Sequence, residues 1–296
     1  MKGTKLDFYW ANIRQKLGLF AKKPSFIGFY IGRARKYSTL GQFGYIIVSY
    51  PKSGRTWLQK MIIEAICLER GIDTKINDIT ELSEVAGLPL ILSTHAGSSW
   101  EEHIQDENTV SVNDWKKYSH AKVVFLYRDP RDILVSQYHH IVNRTGYKTF
   151  HKDYVIENKN VGLLKIINFM NKWHRFSGEN TESICRMSYE TMRKDTEAEL
   201  TRLFDFWDIS VSGENIKQAI ENCTLDKMRQ KEKENADSPW MVTKKGAGNN
   251  AFHSRKGMIG EYLEFFSEDQ VSLINAQINS NLAQDFGYSN LESLDD

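Results

Sequence analysis

Lys52, Ser53 and Gly54 stand directly after an apolar run, Tyr45-Ile46-Ile47-Val48-Ser49-Tyr50, and directly before an amphipathic one. Leu58, Met61, Ile62, Ala65 and Ile66 recur at helical spacing, and Gly71 falls where a C-terminal cap belongs. A strand that passes through a Pro-Lys-Ser-Gly turn into a helix points several backbone N–H groups and a helix N-terminus at one anion. Lys52 adds a full positive charge to that nest. The chemistry on offer is the binding of a phosphate or sulfate group. The order G-x-x-x-x-G-K-[ST] of a nucleoside-triphosphate loop is absent, because here the lysine precedes the glycine. A plain surface turn after a buried strand is the alternative, and a lone Ser-Gly would suggest no more. Trp57, at the start of the helix, offers a flat face on which a base can stack, or a core side chain.

Two further groups of residues have types suited to chemistry. His95 closes the run Ile91-Leu92-Ser93-Thr94-His95, at the C-terminal end of an expected strand, where open α/β sheets place their ligands. An imidazole that is neutral near pH 7 suits a general base. His139 and His140, among the eight histidines of the chain, are its rivals and lie within an expected helix. Arg128 carries the planar fork that matches phosphate oxygens, and Ser136 lies two helical turns further on. Arg255 and Lys256, taken alone, read as a solvated pair in a loop.

Together these segments resemble the sulfotransferases that use 3′-phosphoadenosine 5′-phosphosulfate (PAPS). Pro51-Lys52-Ser53-Gly54-Arg55-Thr56-Trp57 is similar to their 5′-phosphosulfate loop, with Arg55 where threonine is common. The segment Tyr127 to Ser136 is similar to their 3′-phosphate segment, with arginine and serine eight residues apart. Arg255-Lys256-Gly257-Met258-Ile259-Gly260 is similar to their Arg-Lys-Gly-x-x-Gly motif. The resemblance extends from Tyr45 to the end of the chain. It implies that Lys52 reaches the bridging oxygen of the phosphosulfate, while Ser53, Gly54, Arg55, Thr56 and Trp57 cradle the 5′-phosphate. It implies His95 as the base, and Arg128, Ser136, Arg255, Lys256 and Gly257 around the 3′-phosphate. Tyr189 matches the tyrosine that bonds the adenine edge, and Thr224 with Leu225 matches the segment beside the base. The implied co-substrate is PAPS, the product 3′-phosphoadenosine 5′-phosphate (PAP), and no metal is expected.

The chain departs from that family at several points. Ser93 stands where many members have a lysine, so Lys52 must carry more of the burden. Leu225 replaces an aromatic against the adenine. The short dimerisation motif after Arg-Lys-Gly is missing, with Leu263 and Glu268 at its Lys and Val positions, which leaves the oligomeric state open. Arg131 and Asp132 are expected to form surface pairs.

The elements that must hold these residues follow from the hydropathy pattern. Strand-like runs alternate with helical ones, which predicts an α/β, P-loop-like single domain: a central, mostly parallel sheet flanked by helices. Expected strands are the run ending at Tyr50, Leu88 to Ser93, Ala121 to Tyr127, and Glu182 to Met187. Expected helices begin near Pro130, span Val161 to Phe176, contain Leu200, Leu203, Phe204 and Trp207, and open at a capping box, Ser267-Glu268-Asp269-Gln270. Residues 1–296 form one domain in this reading, with 1–43 an extension packed on it and 231–254 a lid loop.

Lysine plus arginine number 39 and aspartate plus glutamate 38, so no global field argues for nucleic acid or an anionic membrane. Three cysteines, Cys67, Cys185 and Cys223, are too few and too scattered for a disulfide framework or a metal site, and fit a reducing cytoplasm. No run approaches the ~18 to 20 apolar residues of a membrane span. The expected activity is sulfuryl transfer to a hydroxyl or amine of a small soluble molecule. Alternatives are a carbohydrate or peptide sulfotransferase, a P-loop kinase, and a non-catalytic binder of PAP; in the last, Lys52 or His95 would be broken, and both are intact.

Overall fold

A computed structural model describes residues 43–73, 76, 78–95, 97–98, 120–144, 151–158, 161–234 and 256–288. The expected N-terminal extension, Arg255 and most of the expected lid loop lie outside the described residues. Four strands make one sheet: β1 (Phe43–Ser49), β2 (Leu90–Thr94), β3 (Lys122–Tyr127) and β4 (Ile184–Ser188), in the order β2-β1-β3-β4. Every neighbouring pair is parallel, with Val48 opposite Thr94 on one side and Phe125 on the other. The sheet is therefore fully, not mostly, parallel among the described residues. Parallel strands are covered on both faces, and the inner two show it. Ile46, Ile47 and Val48 in β1 and Val123, Val124, Phe125 and Leu126 in β3 are all buried.

Helices supply the cover. On one face lie α1 (Arg55–Arg70), α2 (Ile79–Val85), α6 (Tyr189–Lys194), α7 (Thr196–Phe206) and α8 (Gly213–Asn222). Their Leu58, Ile62, Met192, Leu203 and Ala219 join Ile47 and Val124 in one buried cluster. On the other face, Phe125 meets Phe169 and Trp173 of α5 (Leu163–Glu179) and Phe286 of a short 3-10 turn (Gln284–Phe286). The remaining helices are α3 (Pro130–Arg144), α4 (Lys152–Glu157), α9 (Leu225–Glu234), α10 (Tyr262–Phe265) and α11 (Glu268–Asn281). Helix α9 continues through Glu234, so the first residues of the expected lid, from 231, are helical.

Caps fix the helix starts where the sequence has them. Ser188, Asp195 and Ser212 each accept a first-turn N–H, of α6, α7 and α8 respectively. Ser267 and Gln270 form the expected capping box on α11. Helix α1 differs: its cap residue is Gly54, which has no side chain to accept a bond. The helix that follows the glycine loop thus has no side-chain cap on its first-turn N–H groups, of which that of Trp57 turns back to the Gly54 carbonyl at 3.0 Å.

Topology decides where the loop sits. From β1 the chain passes to β2 on one side, then crosses to β3 on the other. The C-terminal ends of β1 and β3 therefore flank a switch point, the crevice in which doubly wound sheets hold ligands. Lys52 follows β1 and Arg128 follows β3.

Candidate active site

The turn after β1 is tight and strained. Ser53 N–H bonds back to the Tyr50 carbonyl at 3.3 Å, and Lys52 adopts φ 78°, a left-handed backbone that non-glycine residues avoid. Strain of this kind collects at functional sites, here directly under the lysine the sequence singles out. Gly54 also has φ 94°, and a Cβ placed there would lie 2.5 Å from Cδ2 of Tyr189. The glycine is required twice, by its backbone and by its neighbour. Gly71, the α1 C-cap, has φ 63° but open space. Gly54→Ala is accordingly expected to lower the thermal midpoint by roughly 5 °C or more, and Gly71→Ala by less. A thermal scan of the two variants checks this; equal shifts would mean the Tyr189 contact contributes nothing.

Tyr189 is where the separate segments meet. Its ring touches the Gly54 position, lies edge-on to Trp57 with centroids 6.2 Å apart, and takes the Arg128 guanidinium over its face at 4.3 Å. Its hydroxyl lies 3.4 Å from where a Cβ on Gly257, in the third motif, would stand. Gly257 itself has φ 63°. One buried ring thus packs against the loop, Arg128 at the end of β3 and the Gly257 turn. Burial pushes its phenol up, partly offset by Arg128.

Arg128 is held from three sides. Its Nη1 donates to the Lys52 carbonyl at 3.4 Å, and its Nη2 to the Met258 carbonyl at 2.7 Å and to Asp132 Oδ2 at 3.3 Å. Asp132 also accepts from Gly260 N–H at 2.9 Å and Tyr262 N–H at 3.3 Å. That carboxylate therefore ties the arginine to the Gly257–Gly260 turn. The expectation of surface pairs for Arg131 and Asp132 is wrong: each is only 1% exposed. Arg131 grips Asp129 through Nε and Nη2 and reaches Asn275, while Asp129 N–H donates to Glu190, which also accepts from the Tyr288 hydroxyl. The periodicity of α3 places both residues inward, and a buried charge persists only when paired in this way. This network seats Glu190 and hence its neighbour Tyr189.

His95 sits beside the loop at the end of β2. Its Nδ1 is 2.7 Å from the Ser49 carbonyl. A carbonyl only accepts, so Nδ1 carries the proton and Nε2 holds the lone pair. Burial first, and then the Arg55 charge, hold the imidazole well below its ordinary range; Lys52 acts in the same direction and the bond to Ser49 opposes them. The ring is therefore neutral at pH 7. Arg55, the departure from the usual threonine, thus lies close enough to act on His95, a coupling that the sequence does not show.

The remaining expected residues fall into place unevenly. Trp57 Nε1 donates to the Cys223 carbonyl at 3.0 Å, which pins the indole to the segment of Thr224 and Leu225, and Arg193 lies over its ring at 5.3 Å. Thr56 and Thr224 are exposed, Leu225 and Ser136 half-buried. Lys256 pairs with Glu261 at 3.2 Å. Ser53 Oγ and Arg128 Nε are buried with no hydrogen-bond partner among the described residues, so polar atoms remain for an oxyanion in the crevice. His139 packs on Phe265, whereas His140 Nδ1 is 2.9 Å from Lys52 Nζ. That last contact is not legible in the sequence.

Residues 44–286 match the model of the sulfotransferase domain family. The chain belongs to that family. Relatives include flavonol 3-sulfotransferase of Flaveria bidentis, 23% identical over 80% of this chain and 80% of that one. Another is sulfotransferase 1E1 of Mus musculus, 24% identical over 75% and 78%. Among solved structures, mouse sulfotransferase SULT7A1 complexed with PAP aligns with a TM-score of 0.56 at 19% identity, covering 81% of this chain and 84% of that one. Retinol dehydratase in a complex with retinol and PAP aligns at 0.57 and 16% identity, covering 84% and 82%. At such identities the structures speak to the fold, and they agree that this sulfotransferase has the P-loop-like α/β architecture expected of its sequence. Among the described residues no helix is long and apolar enough to cross a membrane.

Proposed function

We propose that this sulfotransferase moves a sulfuryl group from PAPS to a hydroxyl or amine of a small-molecule acceptor. The convergence of the loop, Arg128 and the Gly257 turn on Tyr189 is the observation that supports this most. It assembles donors for two separate anionic groups around one aromatic site, as a 3′-phosphorylated adenosine phosphosulfate requires. The relatives' names point the same way: flavonol and retinol are small molecules, and PAP is what PAPS becomes once its sulfuryl group has left.

In this reading the uncapped start of α1 and the Ser53 to Trp57 segment hold the 5′-phosphate, and Arg128, Ser136, Arg255, Lys256 and Gly257 hold the 3′-phosphate. Trp57, Tyr189, Thr224 and Leu225 surround the adenine. His95 Nε2 takes the proton of the acceptor as its oxygen or nitrogen bonds to sulfur. The bond from sulfur to the bridging oxygen breaks, and the charge left on that oxygen of PAP is met by the Lys52 ammonium. Buried, free Cys67, Cys185 and Cys223 fit a reducing cytoplasm as its compartment. Among the described residues no cluster of carboxylates, histidines and cysteines is arranged for a metal.

Radiolabelled PAPS offered with a library of phenols, alcohols and amines tests the reading. A labelled acceptor and an equal amount of PAP are expected. ATP turnover in place of PAPS consumption would contradict it.

His95 also fixes the acid side of the pH profile. The base works only when neutral, and its environment lowers its affinity for protons. The fall of kcat/KM on acidification should therefore lie below the ordinary imidazole value of 6.5. A limb at or above that value, measured with a non-titrating acceptor, would show a base other than His95.

A further inference from the structure

Lys52 is clasped twice by the β3–α3 unit. Its backbone carbonyl accepts from Arg128, and its ammonium lies 2.9 Å from Nδ1 of His140, one helical turn past Ser136 on α3. An ammonium only donates, so His140 Nδ1 must be unprotonated and its proton carried on Nε2. His95 is the reverse, with Nδ1–H given to Ser49 and the lone pair on Nε2. Two imidazoles of opposite tautomer therefore stand at this loop. One presents a lone pair for a proton; the other spends its lone pair on the lysine.

We propose that His140 is the positioning residue for Lys52, holding the ammonium where it meets the bridging oxygen of the donor. This rests on the sulfuryl-transfer reading. Lysine is a flexible stem with a compact charge, and it loses most of its benefit if the charge must be found anew in each turnover. The strained Lys52 backbone sets where the stem begins, and His140 sets where it ends. The same contact removes His140 as a rival base, because the lone pair that would take a proton is engaged by the lysine.

Two measurements test this. Long-range 15N spectra of histidine-labelled protein, without donor, should show the Nε2–H tautomer for the signal lost in His140→Asn, and the Nδ1–H tautomer for the signal lost in His95→Ala. An Nδ1–H tautomer for His140 would overturn the proposal. Conversion of PAPS to PAP without an added acceptor then supplies the functional arm. His140→Leu should slow it roughly 10- to 100-fold, as for loss of a hydrogen bond to a charged group, with PAP affinity changed by less than about threefold. His140→Asn, which keeps an acceptor near the place of Nδ1, should recover most of the rate. In a Lys52→Met background His140→Leu should cost nothing further. An equal loss in both backgrounds, or a faster reaction in His140→Leu, would overturn it. Failure of the functional reading shows separately, as absence of PAP binding by the unaltered protein.

Discussion

His95→Ala is expected to lower turnover of the acceptor by roughly 10²- to 10⁴-fold, the span for a lost general base, and to leave PAP affinity nearly unchanged. The reason is local. The Ser49 carbonyl fixes the ring through Nδ1, and burial with the Arg55 charge keeps it neutral, so Nε2 is ready to accept a proton. In the proposed reading the 3′-phosphate is held by other residues, Arg128, Ser136, Arg255, Lys256 and Gly257. The dependence on acceptor sharpens the expectation. An aliphatic alcohol holds its proton tightly and needs the base, whereas an acidic nitrophenol is partly ionised without it. The loss in His95→Ala should therefore be larger for the alcohol. Steady-state rates on both acceptors check this. An equal loss on both, or a loss explained wholly by weaker donor binding, would make His95 a structural group.

Replacing Lys52 with Met is expected to lower turnover at saturating donor by ~10²-fold or more, as when a donor aimed at developing charge is removed. Methionine keeps much of the aliphatic stem and removes the charge. It also bears the same backbone burden, since any residue but glycine must be forced to φ 78° at this position. The substitution thus isolates the ammonium from the strain beneath it. The family's other lysine, expected near the sulfuryl group, is Ser93 here, so there is no second cation on β2 to share the charge. Arg55 is the nearby candidate for that service, given its effect on His95. Rapid-quench measurement of one turnover separates the chemical step from release of PAP. Near-normal chemistry in Lys52→Met would move the leaving-group role to Arg55.

Much of this is legible in the sequence, for identifiable reasons. The loop declares itself because a buried parallel strand is a continuous apolar run and the helix after it is amphipathic, so the turn between them can only be Pro51 to Gly54. Capping chemistry identifies Ser267 correctly, because its bonds are local. Boundaries move by a residue or two, as at β2, where the strand runs on to Thr94. Long-range polar contacts are the part that local pattern cannot carry. Arg131 and Asp132 look like any charged pair at a helix start, and beyond their local partners Asp129 and Arg128 they reach more than a hundred residues away, to Asn275, Gly260 and Tyr262. Tyr189 matches a motif, but that it packs against Gly54, Trp57 and Arg128 at once depends on β4 lying beside β3. The Lys52–His140 bond needs α3 to bring its third turn back over the β1 loop. A sequence shows which residues can do chemistry; the crossing of the chain at the switch point decides which of them share it.

Calorimetric titration of the unaltered protein with PAP and, separately, with AMP tests the central claim most directly. Both ligands share the adenosine and a 5′-phosphate, and only PAP carries the 3′-phosphate that the proposed function assigns to Arg128, Ser136 and the Gly257 turn. PAP is expected to bind at least about 100-fold more tightly, the effect of two charge-assisted contacts. Equal affinities for PAP and AMP would contradict the account.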